Sequence, residues 1–145
     1  MLVQLLRLRW YLLQIMKNNI IKNFLHTRIR VDDLERTVSF YIKVFGFKVI
    51  ERKKSPRGSE LVFLQIPNSE VLIEVAYFPD SGPVRVQEDL MHFAFEVHSM
   101  EAFSKHLQDL NLSFSEEPCK SSSGSQFAFI DAPEGYEIEL IERPR

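Results

Sequence analysis

A chain of 145 residues with 45% apolar and 26% charged residues has the composition of a globular protein, which excludes a disordered or fibrous one. Its length fits one domain, or two half-size modules sharing a core, because a module of about 60 residues is marginal alone. A formal net charge of −2 argues against a general nucleic-acid binder, and a single cysteine, Cys119, can form no disulfide within the chain and is compatible with a reducing cytoplasm.

The charge is unevenly spread. Residues 1–23 carry Arg7, Arg9, Lys17 and Lys22 and no acid, which leaves −6 on the remainder. This segment is leucine-rich, but Arg7, Arg9 and Gln14 break its apolar runs well short of the roughly 20 residues that span a bilayer. The apolar stretch after Arg9 is short and no small-residue cleavage site follows, so neither a membrane span nor a signal peptide is expected. The segment reads as an appended amphipathic helix, or as sequence upstream of a natural start at Met16. Contact with a membrane surface is the minor reading.

The main domain is expected over residues 24–142. A strand pattern, His26 to Val31, opens it, with Thr27, Ile29 and Val31 on one face and His26, Arg28 and Arg30 on the other. Asp32-Asp33-Leu34-Glu35 has the form of a capping box with Asp32 as N-cap, and Leu34, Val38, Tyr41 and Phe45 recur at helical spacing until Gly46 supplies a stop. Phe47 to Arg52 reads as a strand, and residues 53–58 as an exposed basic loop. Leu61 to Ile66 and Val71 to Tyr77 read as a hairpin. The first module, 24–78, is therefore βαβββ. Residues 79–90, with Pro79, Gly82 and Pro83, form a linker. The second module, 91–142, repeats the plan: a strand from Met91 to Val97, a helix capped by Ser99 with Phe103, Leu107 and Leu110 on its buried stripe, a strand near 112–115, and a last hairpin of 126–131 with 136–142. The turn of that hairpin is Pro133-Glu134-Gly135.

The repeat carries chemistry. His92 heads the first strand of the second module as His26 heads that of the first, with Ala94 and Glu96 on the same face. Glu74 and Glu139 each stand between apolar neighbours that would face the core, and the interval from His26 to Glu74 nearly equals that from His92 to Glu139. Two imidazoles and two carboxylates form an N₂O₂ set that suits a divalent ion such as Zn²⁺, Ni²⁺, Co²⁺, Mn²⁺ or Fe²⁺. With two positions open, such an ion could hold two oxygens of one substrate. A lone strand histidine, or a glutamate on a wet sheet face, is the commoner explanation of each residue by itself, so spacing alone leaves both readings open. His98 and His106 read as surface residues.

His26-Thr27, Arg30 to Arg36, Phe40-Tyr41 and Phe45 to Val49 resemble the opening of the glyoxalase I (lactoylglutathione lyase) family. Asp131, Pro133 to Tyr136 and Ile138 to Glu142 resemble its closing motif. The resemblance covers residues 24–142. It implies the vicinal oxygen chelate fold, an α+β architecture of two βαβββ modules forming a cupped, eight-stranded mixed sheet. It further implies one divalent metal held by His26, Glu74, His92 and Glu139, with Ni, Zn or Co ahead of Mn or Fe, and a homodimer with sites between subunits. The implied reaction converts the hemithioacetal of methylglyoxal and glutathione to S-lactoylglutathione by proton transfer through an enediolate. Glu139 would be the base and Glu74 its partner in proton return. Arg30 matches a glutathione-binding arginine, and Lys120 lies near the family's loop lysine.

Two departures concern the thiol. The family's asparagine four residues after the first glutamate is Phe78 here, and the arginine that some members carry four residues before the second histidine is Glu88. The alternatives are a ring-cleaving dioxygenase or another thiol-dependent lyase or transferase on the same fold, and a metal-free small-molecule-binding dimer, which retention of all four ligands disfavours.

Overall fold

The computed structural model describes residues 2–18 and 20–144. In chain order the elements are α1 (Leu2–Asn18), β1 (His26–Val31), α2 (Leu34–Phe45), β2 (Lys48–Lys54), β3 (Glu60–Gln65), β4 (Leu72–Tyr77), β5 (His92–Glu96), α3 (Met100–Asp109), β6 (Glu116–Lys120), β7 (Gln126–Asp131) and β8 (Glu137–Glu142). The architecture is α+β with a duplicated βαβββ plan. The eight strands fall into two four-stranded sheets, ordered β1-β4-β3-β2 and β5-β8-β7-β6, rather than one continuous sheet within the chain. In each sheet the first and last strands of a module are parallel neighbours and the other pairs are antiparallel.

Helix α2 forms where both of its ends are satisfied. Its N-cap is Asp33, not the expected Asp32: the Asp33 side chain accepts from the Arg36 N–H at 3.0 Å. Asp32 instead accepts from the Arg36 guanidinium at 2.6 Å and from the Val84 N–H at 2.7 Å, which ties the linker to the first module. The Val84 N–H, and then Arg36, hold the Asp32 carboxyl below the usual aspartate range. At the other end Gly46 takes φ 68°, a left-handed conformation that suits glycine, and its N–H returns to the Ile42 carbonyl at 3.0 Å. Helix α3 is capped by Ser99, which accepts from the Ala102 N–H at 3.1 Å.

Three other expectations shift. Met100 joins Leu107 as a buried residue of α3, while Phe103 and Leu110 are only partly buried. Strand β2 runs through Lys53 and Lys54, shortening the basic loop. The strand expected near 112–115 lies instead at Glu116–Lys120 and contains Pro118. Proline has no N–H to donate, so it is tolerated at an edge or an irregularity. β6 is an edge strand whose register breaks between Glu116 and Cys119.

One apolar core serves both modules. Ile29, Val31, Val38, Tyr41, Val62, Leu64, Ile73 and Val75 from the first pack in the same cluster as Met100, Leu107, Ile130, Ile138 and Leu140 from the second. Phe45 joins them directly, with its ring centroid 5.5 Å from Phe95 and 5.8 Å from Phe103. His106 reaches across from α3, its Nε2 3.1 Å from the carbonyl oxygens of Lys43 and Val44 at the end of α2, where helix carbonyls lack partners. Outside this core α1 leaves Leu5, Leu8, Trp10 and Leu12 exposed, and no helix among the described residues is long and apolar enough to cross a membrane.

A buried carboxylate adds a polar clasp between the modules. Glu134, in the β7–β8 turn, accepts at Oε1 from the Thr37 hydroxyl at 2.5 Å and from Arg36 at 3.1 Å, both on α2. Glu134 and Thr37 are buried while Arg36 is half-exposed, so the Thr37 bond is the better shielded of the two. Glu134→Ala leaves Thr37 without its charged acceptor, a loss of about 1.5 to 3 kcal/mol for a charge-assisted bond. Urea unfolding should show this as a lower midpoint at unchanged slope. A shift of only a few tenths of a kcal/mol would mean that the clasp contributes little.

Candidate metal centre

The parallel pairing of β1 with β4 sets Arg28 opposite Glu74 and His26 opposite Leu72, which leaves His26, Arg28 and Glu74 on one face of the sheet. His26 Nε2 lies 2.9 Å from Glu74 Oε2, and Arg28 grips the other oxygen, Oε1, through Nε at 2.9 Å and Nη2 at 2.7 Å. Glu74 is buried, the His26 imidazole half-exposed. On β3 the residue facing Glu74 is Phe63, whose ring meets the His26 imidazole edge-on at 5.8 Å and 83°. Lys53 Nζ stands 4.5 Å above the same ring.

The second module repeats this construction. Parallel β5 and β8 place His92 Nε2 3.3 Å from Glu139 Oε2, and antiparallel β7 brings Phe129 opposite Glu139 and edge-on to His92 at 5.8 Å and 89°. Here the residue opposite Glu139 is Ala94. Phe63 and Phe129 are separated along the chain by the same interval as the two histidines. That shared interval is the signal in the sequence that points to these two aromatic positions.

Both pairs fit a divalent ion. Two donors bound at about 2.0 to 2.2 Å and at angles between 90° and tetrahedral lie about 2.9 to 3.5 Å apart, and the observed nitrogen-to-oxygen separations of 2.9 and 3.3 Å fall in that interval. Each pair thus offers one imidazole nitrogen and one carboxylate oxygen on the same side of a sheet. The structure does not gather all four: the pairs sit on separate sheets, and no group of three or more such side chains is clustered among the described residues.

The expected substrate residues are divided in the same way. Arg30 shares the site face of β1, with its guanidinium 3.3 Å from the Ser81 carbonyl in the linker. Its backbone is fixed by the Tyr136 hydroxyl, which donates to the Arg30 carbonyl at 2.9 Å and accepts from its N–H at 3.1 Å. Burial, more than any neighbour, pushes the Tyr136 hydroxyl up, so that it stays a donor. Lys120 ends β6, the outer strand of the other sheet, and is exposed. Cys119 beside it is a free, exposed thiol. His98 is exposed in the turn before α3, as expected.

Known proteins share this plan. The chain matches the family model of the Glyoxalase/Bleomycin resistance protein/Dioxygenase superfamily over residues 23–140. It is 33% identical over 123 residues to a lactoylglutathione lyase of Escherichia coli O157:H7, a match covering 81% of this chain and 90% of the relative. A lactoylglutathione lyase of Arabidopsis thaliana is 28% identical over 126 residues; the match takes in 84% of this chain but only 44% of that longer protein, so the chain spans less than half of it. The trypanothione-dependent glyoxalase I of Leishmania major superposes with a TM-score of 0.70 at 29% identity, covering 84% and 87% of the two chains. With a match over nearly its whole duplicated domain, the chain belongs to the glyoxalase/bleomycin resistance protein/dioxygenase superfamily.

Proposed function

We propose that the chain is a metal-dependent, glyoxalase I-like lyase that isomerises the hemithioacetal of methylglyoxal and a thiol, glutathione in the first instance, to the corresponding S-lactoyl thioester. The observation that carries this reading is the pair of half-sites, His26 with Glu74 and His92 with Glu139, each spaced as two donors on one ion. Because the pairs lie on separate sheets, a complete site draws the first pair from one copy of the chain and the second from another. The relatives named as lactoylglutathione lyases support the reaction class.

The reaction moves one proton between adjacent carbons and a second from the hydroxyl of the first carbon to the oxygen of the other, and needs no external oxidant, reductant or water. A bound divalent ion would polarise the two substrate oxygens and stabilise the negative charge that develops when the proton leaves. Glu139 is the base: its carboxylate is part-exposed, faces His92, and can take the proton from the hydroxyl-bearing carbon. Phe63 and Phe129 turn their edges to the two imidazoles and fix the ring planes. Arg30 supplies a cation for a carboxylate of the thiol, with Lys120, on the outer strand of the other sheet, as a second positive group.

Three measurements test this reading. His92→Ala removes one donor, so metal titration should show much weaker binding than the parent; equal affinity and stoichiometry would contradict the assignment. Arg30→Ala removes a charge-assisted hydrogen bond of about 1.5 to 3 kcal/mol, which should raise KM for the glutathione adduct about tenfold or more. Unchanged kinetics would point to a different thiol. Glu139→Gln keeps the size and an oxygen donor but loses the basic carboxylate, and with metal occupancy confirmed kcat should fall by about 10²- to 10⁴-fold. Near-normal turnover would move the base elsewhere.

A further inference from the structure

The two half-sites match at the histidine, the glutamate and the aromatic ring, and differ at the residue opposite the glutamate. Opposite Glu74 stands Arg28; opposite Glu139, at the equivalent place in the second module, stands Ala94. Arg28 directs two nitrogens, at 2.9 and 2.7 Å, onto Oε1 of Glu74, while Oε2 faces His26 at 2.9 Å. Both oxygens are therefore engaged, and the Glu74 side chain is 3% exposed. Glu139 has His92 at 3.3 Å and is 22% exposed.

We infer that Arg28 is a positioning residue that confines Glu74 to a fixed ligand bonding through Oε2 alone, so that both proton transfers fall to Glu139. This rests on the metal reading above and divides its labour between two halves that duplication made alike. A carboxylate that gives up a proton must rotate or withdraw toward the substrate. Rotation of Glu74 would break the hydrogen bond from Arg28 Nε and the 2.7 Å ion contact from Nη2 that a half-exposed guanidinium makes to this buried carboxylate, whereas Glu139 has no guanidinium opposite it to release. Both guanidinium nitrogens converge on Oε1, which leaves Oε2 turned toward His26. Hydrogen-bond partners of metal ligands typically carry roughly a 10- to 100-fold effect on metal affinity when removed.

The test uses the full chain loaded with Co²⁺, with affinity read by competition against a chromophoric chelator and ligand geometry by the visible absorption of the bound ion. Arg28→Met keeps most of the aliphatic bulk and removes the fork. It should weaken Co²⁺ binding about 10- to 100-fold and alter the spectrum, and Arg28→Lys should recover only part of either. Ala94→Arg, at an exposed position, offers a guanidinium to Glu139; at full metal occupancy it should lower kcat at least tenfold while Co²⁺ binding is kept or tightened. Unchanged affinity and spectrum in Arg28→Met, tighter binding in that variant, or parental kcat in metal-loaded Ala94→Arg would each overturn the inference. If the parent itself binds no divalent ion, the metal reading falls, and this inference falls with it. A parent that binds the ion while Arg28→Met matches it leaves the metal reading standing alone.

Discussion

Parallel pairing between the first and last strands of each module is the constraint on which the molecule depends. It alone brings a histidine from the start of a module and a glutamate from its end to the same face, with Arg28 opposite Glu74 and Ala94 opposite Glu139. Side chains alternate along a strand, so a slip of β1 by one residue would turn Ile29 and Val31 toward the site and His26 into the core, and a slip of β4 would do the same with Ile73, Val75 and Glu74. The burial of those four residues in the shared core therefore holds the candidate site in register from behind. Folding and site geometry are here two faces of one sheet.

Neither module closes a core alone. Phe45 ends α2 against Phe95 and Phe103 of the second module, and Glu134 reaches from the last hairpin to Thr37 and Arg36. Tyr136, two residues on, bonds both backbone groups of Arg30. The β7–β8 turn thus braces a strand of the other module that carries site residues, with Gly135 at φ 90° making the turn possible. Small half-domains of this size need such sharing to bury enough surface.

Much of this was legible because alternation and helical spacing are local properties. The faces of β1 and β5, the Gly46 stop, the Ser99 cap and the final hairpin all follow from residues within a few positions of one another. What escaped depends on partners distant in sequence. Arg28 and Glu74 could be assigned to site faces, but their contact needs the strand register, 46 residues apart. Glu134 looked like turn chemistry because its acceptor role is defined by α2. Asp32 and Asp33 are adjacent and equally able to cap, and the choice between them is settled by the linker's Val84. β6 was misplaced because its proline and broken register hide the alternating pattern. The division into two sheets was not written in either module, since both contain the same strands in the same order.

The outer strands bear on self-association. An exposed sheet edge invites another strand, and charge, proline and irregularity discourage it. β2 is exposed along its whole length and carries Lys48, Glu51, Arg52, Lys53 and Lys54, while β6 is interrupted by Pro118 and a break in register. Both sheets thus end, on the side away from their histidines, in strands that are poor templates for polymerisation. Those two edges are closed to edge-to-edge pairing by charge at one and by proline and irregularity at the other.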